Sequence, residues 1–366
     1  MYQTLGGKMS KKKNKKTVNA NKNIKNTNTN KKNASNKRES KKAVINSNDN
    51  KTIKNNAILS VILCCVMIPI FTFGWLFYGP FETSRRIWIC TAMSTGSHKY
   101  LATAFFSDAT IEKYTSQYFN VINDLPFQNM DLVDTSNGSK NITVEDVRIG
   151  LARGKLMRIY DPSRIDVAIC DYEGNSGMKL NDLIEQENAI AGINAGAYIQ
   201  VDGSPNGSIP GGLIVKDGEL VKASWHKTNK FCVIGFDNNN KMVVNYWNTE
   251  EIKSQNLRCA ISFGPPLILN GEPLIEQAST SLQPRTAIGQ CADGSVLFLV
   301  LDGRQPSSAG ATLMQVQEIL VENGAVVAAN LDGGSSAAMM YKGEVLNSPS
   351  DNKELKRIPT AFVVKE

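Results

Sequence analysis

The sequence predicts an α+β protein: a mixed β-sheet core with a βαβ unit and several hairpins, preceded by one transmembrane helix and a disordered basic tail. Three observations predict it. From about residue 146, apolar runs of strand length alternate with turns marked by Gly, Asn and Asp. One stretch of helical periodicity, 312–323, lies between the apolar runs 296–301 and 325–331. A charge-free run, 57–81, follows a lysine-rich N-terminus.

Residues 1–56 contain sixteen Lys and Arg against only Glu39 and Asp49, a net charge of +14, so the remainder carries −7 of the +7 total. Whole-chain basicity is therefore no ground for a nucleic-acid partner, and none is expected. The tail has no aromatic residue after Tyr2 and cannot bury a core, so a disordered, solvated segment is expected. Residues 57–81 suffice to cross a bilayer as a helix, with Trp75 and Tyr78 at one interface. No small-residue cleavage site of a signal peptide accompanies them. The lysines place the tail in the cytoplasm and the chain from 82 outside, and Arg85 and Arg86 cannot outweigh them. The expectation is a single-pass protein of the cell membrane whose partner through 57–81 is the lipid bilayer. Its parts are a cytoplasmic tail (1–56), a transmembrane helix (57–81), an extracellular stalk and linker (82–145) and a folded domain (146–366).

Seven cysteines form no CxxC pair, and the chain has only two histidines, His98 and His226, so no metal site or cofactor is expected. Cys170, Cys232, Cys259 and Cys291 read as buried free thiols. Within the stalk, 108–121 is helical in pattern. Residues 126–145 are polar and turn-rich, with glycosylation sequons at Asn137 and Asn141.

In the domain, 156–160 and 165–170 read as strands and 180–188 as a short helix. The run 189–198 ends in Asn194-Ala195-Gly196-Ala197-Tyr198. Residues 202–212 hold four glycines and two prolines and are expected to be an irregular rim over a cleft. Hairpins are marked at Asp217-Gly218, 237–240, Asn270-Gly271 and Lys342-Gly343. Residues 284–289 feed a strand interrupted by Asp293-Gly294, and 357–364 close the sheet.

The stretch around which the rest is organised is Asn330-Leu331-Asp332-Gly333-Gly334-Ser335-Ser336, with its echo Leu301-Asp302-Gly303-Arg304. Each is an acid followed by glycine at the end of a strand. Thr312 and Gln315 can form a capping box for the intervening helix, and Gly324 suits the position after it. Strand, helix and strand make a βαβ unit, so both aspartates fall at one sheet edge, about 5 Å apart on adjacent strands or about 10 Å with a strand between. That edge is where open α/β sheets bind ligands.

The motifs Asn194–Tyr198, Gly211-Gly212, Pro284–Gly289, Leu301–Arg304, Gly310–Leu313, Asn330–Ser336 and Arg357 resemble, in order and spacing, the phosphodiester glycosidase family. The family more often has Asn-Gly-Gly followed by Tyr or Phe where this chain has Asn-Ala-Gly-Ala-Tyr, and the anchor resembles its bacterial cell-envelope branch. The resemblance implies hydrolysis of a sugar-1-phosphodiester between the anomeric carbon and oxygen. The residue types suit that chemistry. Asp302 and Asp332 are the candidate catalytic carboxylates. Arg285, Arg304 and Arg357 are candidates to grip a phosphodiester. Backbone N–H groups of Gly333, Gly334 and Ser335 can add to the cradle, and Asn194 and Asn330 can bond the sugar. The expected partner is a phosphate-linked glycan such as an exopolysaccharide or teichoic acid. A non-catalytic glycan-binding assembly factor and a phosphodiesterase cutting the P–O bond are the alternatives.

Overall fold

The computed structural model describes residues 36–39, 46, 53–93, 99–116, 125–136, 138–170, 176–201, 204–223, 230–275, 281–350 and 354–366. Most of the basic tail, His98, His226 and the sequon residue Asn137 lie outside them. The chain divides into two units, 1–81 and 82–366. The first contains helix α1 (Ile53–Tyr78), long and apolar enough to cross a membrane. It starts and ends a few residues before the charge-free run.

The second unit begins with three helices, α2 (Glu82–Met93), α3 (Tyr100–Thr103) and α4 (Asp108–Ser116). They pack on one another through buried Ile89, Ala102 and Ile111. Trp88 Nε1 donates to Leu101 O at 2.7 Å, and Lys113 bonds Glu82 at 3.0 Å. Residues 117–121, the end of the expected helix, are outside the described residues.

The domain is built from three larger sheets. Seven strands lie in the order β1 (Ile142–Ile149), β2 (Ala152–Ile159), β15 (Val296–Leu301), β14 (Arg285–Cys291), β16 (Ala325–Leu331), β12 (Pro266–Leu269) and β13 (Glu272–Pro273). A second sheet has the order β18 (Glu344–Val345), β17 (Met339–Tyr341), β4 (Ala189–Asn194), β19 (Thr360–Lys365) and β3 (Ile165–Ile169). The third has the order β10 (Met242–Trp247), β9 (Phe231–Asp237), β11 (Leu257–Ser262), β7 (Leu213–Lys216) and β8 (Glu219–Ala223). Their inner faces share one core, including Phe298, Leu331, Ile193, Phe362, Ile234 and Phe236. The outer faces are covered separately: the first sheet by α7 (Leu313–Glu322), the second by α5 (Leu180–Gln186), the third with Ile252 of α6 (Thr249–Lys253). The four cysteines of the domain are buried and free.

Several expectations change. The strands flanking α7 do run the same way, but they do not pair. Strand β14 lies between them, antiparallel to both, because the Asp293-Gly294 turn folds β14 back onto β15 as a hairpin. The stretch expected to be an irregular rim contains β6 (Ser204–Pro210), paired with β5 (Tyr198–Val201). Residues 126–135, expected in a linker, bond along the domain: Gln128 with the backbone of Met242 and Val244, Asn129 with Asn270, and Asp134 N with Ala292 O. The hairpin turns Asp217-Gly218, Asn270-Gly271 and Lys342-Gly343 have positive φ at both residues, the geometry that follows the twist of the strands.

The helix α7 starts as its sequence dictates. Thr312 Oγ1 accepts from Gln315 N at 3.2 Å, Gln315 Oε1 accepts from Thr312 N at 3.0 Å, and Leu313, Val316, Ile319 and Leu320 face the sheet. Replacing Thr312 by Ala is expected to cost about 1 kcal/mol. Thermal unfolding of the full chain in detergent checks this, with Thr312→Ser restoring most of the loss.

Candidate active site

Because β14 is antiparallel to both neighbours, its start meets the ends of β15 and β16. The two Asp-Gly turns therefore leave the sheet on either side of Pro284. They pack so tightly that a Cβ on Gly303 would lie 2.6 Å from Pro284 N, and one on Gly333 would lie 2.6 Å from Pro284 O. Gly334 N donates to Pro284 O at 2.9 Å. The glycines are thus needed for close backbone approach, and the Gly334 N–H is already bonded within the protein. With one strand between them, the backbones of Asp302 and Asp332 are separated by about 10 Å.

Asp332 is fixed from the second sheet. Its N–H donates to Ala195 O at 2.9 Å, and its carbonyl accepts from Asn194 Nδ2. Asn194 Oδ1 accepts in turn from Thr286 Oγ1 at 2.7 Å and Ala338 N at 3.1 Å. The Asn194 amide is buried and makes three hydrogen bonds, tying β4, β14 and the Asp332 turn together. Asp332 as a whole residue is half-buried. Burial pushes its carboxyl up to about 6, against hydrogen bonds from Ser336 and the Gly333 N–H and the charge of Lys356.

Three cations lie around the Asp332-Gly333-Gly334 turn, and of these the charge of Lys356 acts on the Asp332 carboxyl. Lys356 Nζ donates to Tyr198 Oη at 2.6 Å and to Ser335 Oγ at 3.1 Å, and it sits over the Tyr198 ring. Arg304, in left-handed backbone at φ 58°, extends its guanidinium over Gly334 and donates to Gln283 Oε1. The residue is exposed as a whole. Desolvation of its head against these groups, and then the Arg285 charge, lower its pKa. Arg285 is buried and donates to two carbonyls, Ala311 O at 3.0 Å and Ser281 O at 2.8 Å. None of the ion pairs formed among the described residues involves Arg285, Arg304 or Lys356.

Asp302 is held differently. Its Oδ1 accepts from Asn347 Nδ2 at 3.0 Å and Ser348 N at 2.8 Å. Asn347 also bonds Ala337 O and Met339 N, so it links the Asp302 turn to the chain just after Ser336. Burial raises the Asp302 pKa against these bonds and Lys155, and neither aspartate figures among the groups that shift the other. Among the described residues no three His, Cys, Asp or Glu side chains gather as a metal site.

Residues 187–365 match the phosphodiester glycosidase family. This part of the chain belongs to that family. The prophage SPβ protein YomE of Bacillus subtilis (strain 168) is 29% identical over 190 residues, covering 50% of this chain and 29% of that protein. The N-acetylglucosamine-1-phosphodiester alpha-N-acetylglucosaminidase of Mus musculus is 27% identical over 223 residues, covering 54% of this chain and 42% of the mouse enzyme. The chain spans less than half the length of either. The catalytic domain of the zebrafish enzyme of that name superimposes with a TM-score of 0.53 at 22% identity, over 64% of this chain and 86% of that one, a likeness of fold.

Within the phosphodiester glycosidase domain, not every expected residue joins the cluster. Arg357 Nη1 donates to Gly177 O at 2.8 Å, and it is its neighbour Lys356 that reaches Ser335. Adjacent residues of an extended chain point to opposite sides, so only one of two consecutive basic residues can face the site. Asn330 Nδ2 donates to Gly264 O at 2.8 Å, while its buried Oδ1 has no hydrogen-bond partner. Lys356, Gln283 and Asn347 are not singled out by sequence, while Tyr198 and Ser336 figure there only as members of the Asn194 and Asp332 motifs. Tyr198 ends the Asn194 motif and Lys356 adjoins Arg357, so both were within reach of it.

A carboxyl raised by burial destabilises the fold once it ionises. As pH rises from its unfolded value near 4 to its folded value of about 6, the folded state holds the proton and stability falls. Asp332→Asn removes that cost and is expected to raise stability by about 2 kcal/mol at pH 7.5. Below pH 4 the gain vanishes. Denaturant unfolding at the two pH values measures it.

Proposed function

We propose that the protein is a membrane-anchored hydrolase that cleaves the glycosyl bond of a sugar-1-phosphodiester in an extracellular, phosphate-linked glycan of the cell envelope. The observation that carries this reading is the half-buried Asp332 turn flanked by Lys356 and Arg304, with Arg285 behind them, none ion-paired to an acid among the described residues. Such a cluster suits a substrate that brings its own negative charge next to a carbon to be attacked.

In this reading Lys356 and Arg304 hold the phosphate, and Arg285 adds positive potential from below. Asn194 is a positioning residue, because its amide is spent on the Asp332 turn. Ionised Asp332 takes a proton from water as the water oxygen bonds to the anomeric carbon. The bond from that carbon to the phosphate oxygen breaks, and its electron pair leaves with the phosphate monoester. That leaving group is a weak base, so cations can stabilise it without a strong general acid. Asp302, with one oxygen anchored, stabilises positive charge developing on the sugar.

The test uses the full chain in detergent with a glycosyl-1-phosphodiester. The expected products are reducing sugar and a phosphate monoester; sugar phosphate would place the cut at the P–O bond and overturn the proposal. Asp332→Asn is expected to lower kcat about 10²- to 10⁴-fold. In the wild type kcat/KM should fall as pH drops through about 6, where Asp332 gains its proton. For the topology, protease added to intact cells is expected to digest the domain after α1 and spare the basic tail.

A further inference from the structure

The inward-facing residues of β1 and β2 run in register as Ile142–Ile159, Val144–Met157, Asp146–Lys155 and Arg148–Arg153. The first two pairs join the central core, and the third is an ion pair of 2.8 Å. The fourth sets two arginines directly opposite each other. Like charges in that position destabilise a sheet. Both residues are exposed, and neither is ion-paired among the described residues.

The row does not stop at the arginines. On β15 the same face carries Val296, Phe298 and Val300, and the next residue of that alternation is Asp302. Asp302 N donates to Arg153 O at 2.8 Å, so Arg148, Arg153 and Asp302 lie in one line across β1, β2 and the end of β15. The turn between β1 and β2 is pinned to the Asp302 loop by Arg153 N donating to Ser308 Oγ and Ala309 N donating to Leu151 O, both at 3.1 Å. Asp146, the acid nearest on β1, is taken by Lys155. The sheet thus leads from the candidate site to its edge through two arginines without an ion-pair partner among the described residues, Arg148 feeling the Asp146 charge only at longer range than Lys155 does. By strand spacing the backbones of Arg153 and Arg148 stand about 5 and 10 Å from that of Asp302.

We propose that Arg148 and Arg153 form a subsite for a second phosphate of the substrate, so that the site takes a chain of phosphodiester-linked units. This rests on the glycosidase reading above and adds the length of the substrate. A phosphate between the two arginines turns a repulsive pair into two charge-assisted contacts and anchors the polymer beyond the bond being cut.

The experiment compares two probes on the full chain in detergent: a glycosyl phosphodiester with one phosphate and a defined oligomer of the same unit with three. Steady-state kinetics are run on the wild type and on Arg148→Gln/Arg153→Gln. Binding of both probes is measured by calorimetry with Asp332→Asn as the background. The double substitution is expected to lower the preference for the oligomer about tenfold, through KM rather than kcat, and to weaken oligomer binding by the same factor. The melting temperature should not fall, since a repulsive pair is lost. An unchanged preference, or an equal loss on both probes, overturns the subsite. If the wild type hydrolyses neither probe, the glycosidase reading fails, and the binding comparison alone decides: a tenfold weakening for the oligomer supports the subsite and equal binding overturns it.

Discussion

The passage of Pro284 between two glycines is the contact on which the rest of the site depends. It puts the start of β14 level with the ends of β15 and β16, which fixes the separation of the two acidic turns. It also fixes where Arg285 enters the sheet, behind the Asp332 turn. A methyl group at Gly303 or Gly333 would drive backbone against backbone, so the turns could not keep both their spacing and their shared edge. The second sheet adds the other half of the constraint through the Asn194 amide, which bonds three chain segments at once.

With that frame set, the electrostatics have little freedom. Asp332 is pressed into a desolvated corner that opposes its ionisation, and the only cation that figures among its perturbing groups is Lys356. Lys356 is itself shared with Tyr198 and Ser335. A tighter ion pair would hold Asp332 ionised at lower pH and stabilise the fold, but it would also occupy the cation. The arrangement keeps both carboxylate and cations available at a cost in stability, as sites that bind charged ligands commonly do.

Much of this was legible in the sequence because it is local. Asp-Gly at a strand end, a Thr–Gln capping box and Asn-Gly turns are set by residues within four positions of one another. The insertion of β14 between β15 and β16 was not legible, because a strand–helix–strand pattern gives direction without saying what lies between. Sequence likewise could not separate Lys356 from Arg357, which differ only in the side of an extended chain they occupy. The Arg148–Arg153 pair was invisible for a related reason: it exists only through register, and in the sequence the two residues are part of an ordinary hairpin. Nor could a motif reveal that the Asn194 amide is consumed by the protein, since a buried asparagine and a substrate-binding one look the same until their partners are known.

Charge distribution bears on how such a domain would meet an anionic polymer. Outside the basic tail the chain carries −7, so at long range it repels a polyanion. On the reading proposed, attraction comes from the cations around Asp332 and the arginine row, and at physiological salt such fields reach only about 8 Å. Selection for phosphate would then occur at contact, where guanidinium and ammonium groups bond oxygen directly, and diffusional steering would contribute little. A tether offsets that loss. If α1 spans the membrane as proposed, the domain stays near any envelope polymer, and the effective concentration of that polymer replaces the long-range field. Anchor, acidic exterior and local cationic row then answer one requirement, which is to hold a polyanion at one place without binding acidic surfaces elsewhere.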